Sequence, residues 1–209
     1  TVVLDSKTDN LCYNDASGTV NVTVAGGVHA VDYSYVWTGS DYLGTYFSAT
    51  TKDLSGLKAG SYNLTVRDDN NCIVTLSTVT ITQPAQLTVT KNSQTNILCH
   101  DDATGAISVT VGGGITAYTY AWTGTDYLGT AYTNNVEDIS GLKAGTYNLT
   151  VTDANSCSVT LAPVSITQPA DLTVDLNGQT DVLCFGNSTG AIFVTVSGGV
   201  KPAGGYTFT

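Results

Sequence analysis

The feature that most constrains this chain is that it repeats itself. Trp37-Thr38-Gly39 returns as Trp122-Thr123-Gly124, and Asp41-Tyr42-Leu43-Gly44-Thr45 returns as Asp126-Tyr127-Leu128-Gly129-Thr130. The segments that open at Ser55 and Ile81 return at Ser140 and Ile166, so all of these pairs are offset by 85 positions. Cys12 and Cys99 are offset by 87, because the first copy carries two extra residues between Val24 and Trp37. Repeats are therefore expected at 1–87, 88–172 and 173–209, the last broken off before its tryptophan. Each is long enough for a core of its own, unlike the 20–50-residue units of solenoids. The Gln-Pro-Ala junctions at 83–85 and 168–170 are short and proline-stiffened, which argues for a semi-rigid tandem array. The chain lacks an initiator Met and stops within the pattern. It reads as a fragment whose targeting and anchoring segments lie elsewhere.

Alternation sets the fold class, which is all-β. Val20, Val22 and Val24 point one way while Thr19, Asn21 and Thr23 point the other, and Ile107, Val109, Val111 and Ile192, Val194, Val196 repeat this. One apolar and one hydroxyl-rich face is the pattern of an antiparallel sheet with one wet side. Gly26-Gly27 then turns the chain into Tyr33, Tyr35 and Trp37, matched by Tyr118, Tyr120 and Trp122. A tryptophan on the third strand is the core anchor of an immunoglobulin-like β-sandwich with Greek-key connections. Leu57 to Tyr62 has the spacing of a tyrosine corner, as has Leu142 to Tyr147. The predicted core anchors are thus Trp37, Tyr62, Trp122 and Tyr147. In the last strand Val74 and Leu76 have opposite parity to Val79 and Ile81, and Pro163 sits at the equivalent slip. An edge-strand bulge is predicted there.

Charge and motifs exclude several functions. Seven Lys and Arg against seventeen Asp and Glu give a net charge of -10, which opposes binding to phosphate backbones or anionic membrane surfaces. No apolar run is long enough to enter a bilayer as a helix. Only His29 and His100 are present, neither recurs between repeats, and no nucleophile or phosphate-loop motif accompanies them, so no enzyme is expected. Acidic positions do recur: Asp15/Asp102, Asp41/Asp126, Asp53/Asp138 and Asp68/Asp153. Turn chemistry, in which Asp bonds its own backbone, is the favoured reading. Calcium is the alternative, with Asp68, Asp69 and Asp153 as candidate ligands; no other cofactor is expected. Tyr42-Leu43 and Tyr127-Leu128 lie in a polar, glycine-flanked segment, placed either to contact a ligand or neighbouring repeat or to cap the core.

The cysteines Cys12, Cys72, Cys99, Cys157 and Cys184 fall two to a repeat, with the last odd, and imply an oxidising compartment. The simpler pairing is Cys12–Cys72 and Cys99–Cys157, each worth about 4 kcal/mol on the chain-entropy model, with the partner of Cys184 outside the fragment. A staple between repeats, Cys12–Cys157, is the competing pairing, because Cys12 and Cys72 would stand at opposite poles of an ideal sandwich.

The ordered motifs Cys12, Gly18, Gly26-Gly27, Tyr35-Val36-Trp37, Leu57 to Tyr62, Val66 to Cys72 and Ile81 to Pro84 resemble the SprB-type repeat, over essentially the whole chain. One departure is Asn71 and Ser156, where the family usually has Gly. The resemblance implies giant surface proteins of Bacteroidota, exported by the type IX secretion system and including mobile adhesins of gliding motility. It implies location at the outer-membrane exterior, with three kinds of partner: neighbouring repeats, an external surface or polysaccharide, and envelope gliding or secretion machinery engaged by regions outside the fragment. The expectation is a non-catalytic segment of a cell-surface adhesin filament. The alternatives are a structural fibre or surface-layer protein, and a spacer array in a secreted polysaccharide-degrading enzyme.

Overall fold

The computed structural model describes residues 1–30, 32–201 and 203–209. Every regular element described is a strand. The first repeat contributes β1 (Val2–Thr8), β2 (Gly18–Val24), β3 (Ser34–Asp41), β4 (Tyr46–Ala49), β5 (Leu54–Leu57), β6 (Gly60–Arg67), β7 (Ile73–Thr75) and β8 (Val79–Ile81). They form two sheets, β1-β2-β5 and β4-β3-β6-β7, with β8 also on β6. The second repeat contributes β9 (Thr88–Thr95), β10 (Gly105–Gly112), β11 (Thr119–Asp126), β12 (Ala131–Asn134), β13 (Ile139–Leu142), β14 (Gly145–Thr152) and β15 (Ser158–Ile166). Its sheets, β13-β10-β9 and β12-β11-β14-β15, have the same topology. This is the immunoglobulin-like sandwich, with the strand after the tryptophan strand joining the second sheet. In the third repeat β16 (Thr173–Thr180) pairs with β17 (Ala191–Ser197).

By compactness the chain divides into two units. The first holds residues 1–88 with 111–118 and 152–159; the second holds 89–110, 119–151 and 160–209.

The core of the first unit follows the alternation. Val20 and Val22 from β2 meet Tyr62, Leu64 and Val66 from β6, around a Trp37 with no exposed surface. The Trp37 Nε1–H donates to the carbonyls of Thr51 (3.1 Å) and Lys52 (3.2 Å), so burying the ring strands no polar atom. The Tyr62 hydroxyl donates to the Lys58 carbonyl at 2.8 Å, the bond of a tyrosine corner, and its ring meets Phe47 edge-on at 5.1 Å. In the second unit Trp122 donates to Val136 (3.0 Å) and Glu137 (3.2 Å), and Tyr147 donates to Lys143 at 2.8 Å.

The glycine of Trp-Thr-Gly permits a close approach of two strands. Gly39 faces Tyr62 across β3 and β6, and a Cβ there would lie 2.2 Å from the Ser61 carbonyl oxygen. At Gly124 it would lie 2.5 Å from that of Thr146. The parity slip in the last strand takes two forms. In the first repeat it interrupts the strand between β7 and β8, both paired to β6. In the second, β15 runs on through Pro163 with Leu161 half-buried and Val164 and Ile166 buried.

Gly39→Ala is expected to cost about 1–3 kcal/mol, because backbone must move to admit the methyl. Tyr62→Phe, which removes one hydrogen bond and little volume, should cost about 1 kcal/mol. Urea unfolding of each variant measures both, and a Gly39→Ala variant as stable as the parent would refute the close-approach argument.

Candidate functional site

Strand length decides which cysteines can meet. β1 pairs Val2 with Val24 at one end and Thr8 with Thr19 at the other. Beside the first end, Thr1, Gly26, Asp68 and Cys72 line one hollow. Beyond the second end, the Asn10 N–H donates to the Thr82 carbonyl at 2.9 Å and the Cys12 corner begins. A strand of that length spans roughly 20 Å. A disulfide needs α-carbons no more than about 7 Å apart. The within-repeat pairing is therefore corrected: Cys12 bonds Cys157, with α-carbons 5.7 Å apart, both in the first compact unit. Cys72, Cys99 and Cys184 are free and exposed, so Cys99–Cys157 is not formed either.

Carboxylates build the hairpins that carry the second cysteine of the first and second repeats. Asp68 Oδ1 accepts from the N–H groups of Asn70 (3.0 Å) and Cys72 (2.8 Å), and Oδ2 accepts from that of Val28 (3.1 Å). Asp153 repeats this with Asn155, Cys157 and Ile115, each at 2.9 Å. The N–H groups of Val28, Cys72 and Asn70 hold the Asp68 carboxyl below its ordinary pKa. For Asp153 burial pushes upward, and the N–H groups of Ile115, Cys157 and Asn155 outweigh it. Asn71 and Ser156 adopt left-handed φ of 62° and 66°. The hairpin keeps the backbone that glycine would give it, at the steric cost a side chain pays in that region.

Other acids, most of them recurring, serve backbone in the same way. Asp69 Oδ2 accepts from the Ala30 N–H at 2.6 Å. Asp41 Oδ1 accepts from Leu43 and Thr45, and Asp126 Oδ1 from Leu128 and Thr130. Asp53 and Asp138 accept from the Val22 and Val109 N–H groups, each at 2.9 Å. Among the described residues no three His, Cys, Asp or Glu side chains gather as a metal-binding group.

The corners that carry the first cysteine are held by residues read from sequence only as linker. The Gln83 side-chain oxygen accepts from the Asn14 N–H at 2.8 Å, and that of Gln168 from the Asp101 N–H at 3.0 Å. The 85-residue recurrence of that glutamine was the available signal. Tyr42 closes the same corner: its hydroxyl donates to Asn14 Oδ1 at 2.9 Å and its ring meets Tyr13 at 5.9 Å. Tyr127 does likewise against Asp101 and His100. The Tyr127 hydroxyl, with Lys143 and His100 nearby, holds the Asp101 carboxyl below its ordinary pKa. Leu43 and Leu128 follow these anchored tyrosines and point outward, 66% and 62% exposed. Beside the disulfide, Asn155 Nδ2 donates to the Leu11 carbonyl at 2.8 Å. His29 packs on Tyr33, and His100 lies 3.8 Å from Asp171.

The family described as SprB repeat matches residues 4–41, 91–126 and 177–209, together more than half of the chain. Similar solved structures include three N-terminal domains of the bacteriophage RB49 highly immunogenic outer capsid protein Hoc, 18% identical, covering 98% of this chain and 71% of that one with a TM-score of 0.44. A tetra-tandem repeat from the extending region of a large adhesion protein is 17% identical, covering 94% and 62% with a TM-score of 0.33. Fibronectin(III)-like modules of Clostridium thermocellum CbhA are 13% identical, covering 80% and 93% with a TM-score of 0.32. No curated protein matches the chain.

Non-reducing peptide mapping should recover Cys12 joined to Cys157; recovery of Cys12 with Cys72 would contradict the pole argument. With 145 residues between the partners, Cys12→Ser is expected to lower stability by up to about 5 kcal/mol on the chain-entropy model, read as a drop in the unfolding midpoint. Acid should act through the hairpins. A carboxyl whose folded pKa is depressed stabilises the fold above its unfolded pKa of about 4, and that contribution disappears as pH falls through the folded value. The thermal midpoint should hold above about pH 5 and decline below about pH 4, more shallowly in Asp68→Asn. An unchanged slope in that variant would exclude the hairpin carboxylate as the source.

Proposed function

The chain belongs to the SprB-repeat family, and on that premise we propose that it is a non-catalytic repeat segment of a large cell-surface adhesin. The observation that carries this reading is the threefold recurrence of one repeat along a single chain. An array multiplies weak contacts, so poor affinity at any one repeat still yields firm attachment. An extracellular location agrees with a disulfide in the first unit, since such bonds persist in oxidising surroundings. Among the described residues no helix is long and apolar enough to cross a membrane. The finer reading is an adhesin of a gliding member of the Bacteroidota, exported by type IX secretion and driven by envelope machinery that engages other parts of the protein. Its contacts would be with an external surface or polysaccharide. Residues 1–87 and 88–172 are its complete repeats in this reading. The exposed leucines Leu43 and Leu128, presented once per complete repeat on anchored tyrosines, are the apolar contact points it favours.

Live-cell imaging with a fluorescent antibody fragment against the repeat tests the proposal. Label travelling along the cell surface is the expected result for a motile adhesin. Static surface label would leave an immobile fibre, and label found only in the medium would refute surface attachment. The double substitution Leu43→Asp and Leu128→Asp should change stability by less than about 0.5 kcal/mol, because both side chains are exposed. It should nonetheless weaken attachment of chain-coated beads to a polysaccharide-coated surface. Undiminished attachment would remove the leucines from the contact.

A further inference from the structure

The free cysteines stand in the same settings as the bonded ones. Cys72 lies in a hairpin built like that of Cys157. Both cysteine N–H groups donate to an aspartate Oδ1 (2.8 and 2.9 Å), the residue two after that aspartate donates to the same oxygen, and the residue before each cysteine is left-handed. Cys99 and Cys184 lie in corners built like that of Cys12. The carbonyls of Cys12 and Cys99 each accept from the N–H three residues on at 3.3 Å, and that of Cys184 does so at 3.1 Å. The glutamine brace of the Cys12 corner recurs at the Cys99 corner. All three unbonded thiols are exposed. One corner and one hairpin of this set are already joined, which shows that the two settings are complementary.

We propose that Cys12–Cys157 is one rung of a disulfide ladder, in which the corner cysteine of each repeat is oxidised onto the hairpin cysteine of the following repeat. Cys99 then receives the hairpin cysteine of the third repeat and Cys184 that of a fourth, and Cys72 receives the corner cysteine of a preceding one. At each rung two thiols lose two protons and two electrons and form one S–S bond; the electrons pass to a disulfide oxidant such as oxidised glutathione, which is reduced to two thiols. Asn155 shows what accompanies a rung, since its side chain bonds the carbonyl of Leu11, the residue before the corner cysteine. Asn70 occupies the same place in the Cys72 hairpin, and Leu98 and Leu183 precede the other corner cysteines. The ladder rests on the array reading but not on adhesion, so its chemistry is testable without cells.

The Tyr206 hydroxyl bonds the Gly198 carbonyl as Tyr118 bonds that of Gly113, which places Thr209 in register with Ala121. Appending a copy of residues 122–172 after Thr209 therefore completes the third repeat and supplies a second copy of the Cys157 hairpin. After refolding with oxidised glutathione, alkylation and non-reducing peptide mapping should find Cys12–Cys157 and Cys99 bonded to the appended cysteine, with Cys72 and Cys184 alkylated. In Cys99→Ser the appended cysteine should become alkylated rather than move to Cys184. An appended cysteine bonded to Cys184, or alkylated while Cys12–Cys157 forms, overturns the ladder. The protein alkylated on intact cells gives an independent reading: Cys99 should resist alkylation there, and a freely alkylated Cys99 would overturn the ladder whatever the extended chain does.

Discussion

The indole of Trp37 is where the two sheets of the first repeat are tied together. Its ring is enclosed between them, and its Nε1–H holds the carbonyls of Thr51 and Lys52, on the connection that carries the chain from β4 in one sheet to β5 in the other. The next residue, Asp53, then binds the Val22 amide on β2. One side chain thus fixes the crossing point, and the missing Cβ of Gly39 lets β3 and β6 close beside it. With the strands fixed at their middles, their ends become defined poles. The cysteine corner and the cysteine hairpin occupy opposite poles of the first repeat because strand length puts them there.

Much of this was legible because it depends on period. Val20 and Val22, and Tyr62, Leu64 and Val66, alternate in sequence and are buried in alternation. The tyrosine corner was readable from the interval between Lys58 and Tyr62, since its hydrogen bond spans a fixed number of residues. Asp41/Asp126 and Asp68/Asp153 were readable as turn formers for the same reason, since each accepts from the N–H groups two and four residues on. Asp53 and Asp138 instead reach an N–H on the adjoining strand.

What depended on three-dimensional reach was harder to read. Sequence left two pairings for Cys12, with Cys72 in the same repeat and with Cys157 in the next, and the span of β1 decides for the second. Tyr42-Leu43 looked like one feature with two alternative roles. The structure separates the pair, turning the tyrosine onto the corner and the leucine outward. Gln83 was hidden by its neighbours, because a glutamine before proline reads as linker until its side chain is seen bracing Asn14. Neither local propensity nor alternation encodes such contacts, which join residues far apart in sequence.

The use of carboxylates as turn-builders has a consequence at larger scale. A repeat that shapes its loops with Asp and balances few of them with Lys or Arg gains negative charge with every copy, and this chain already carries -10. Charge then grows in proportion to array length. Arrays crowded on one surface would repel one another as a polyelectrolyte brush does, held apart at low ionic strength and packing more closely as salt shortens the Debye length.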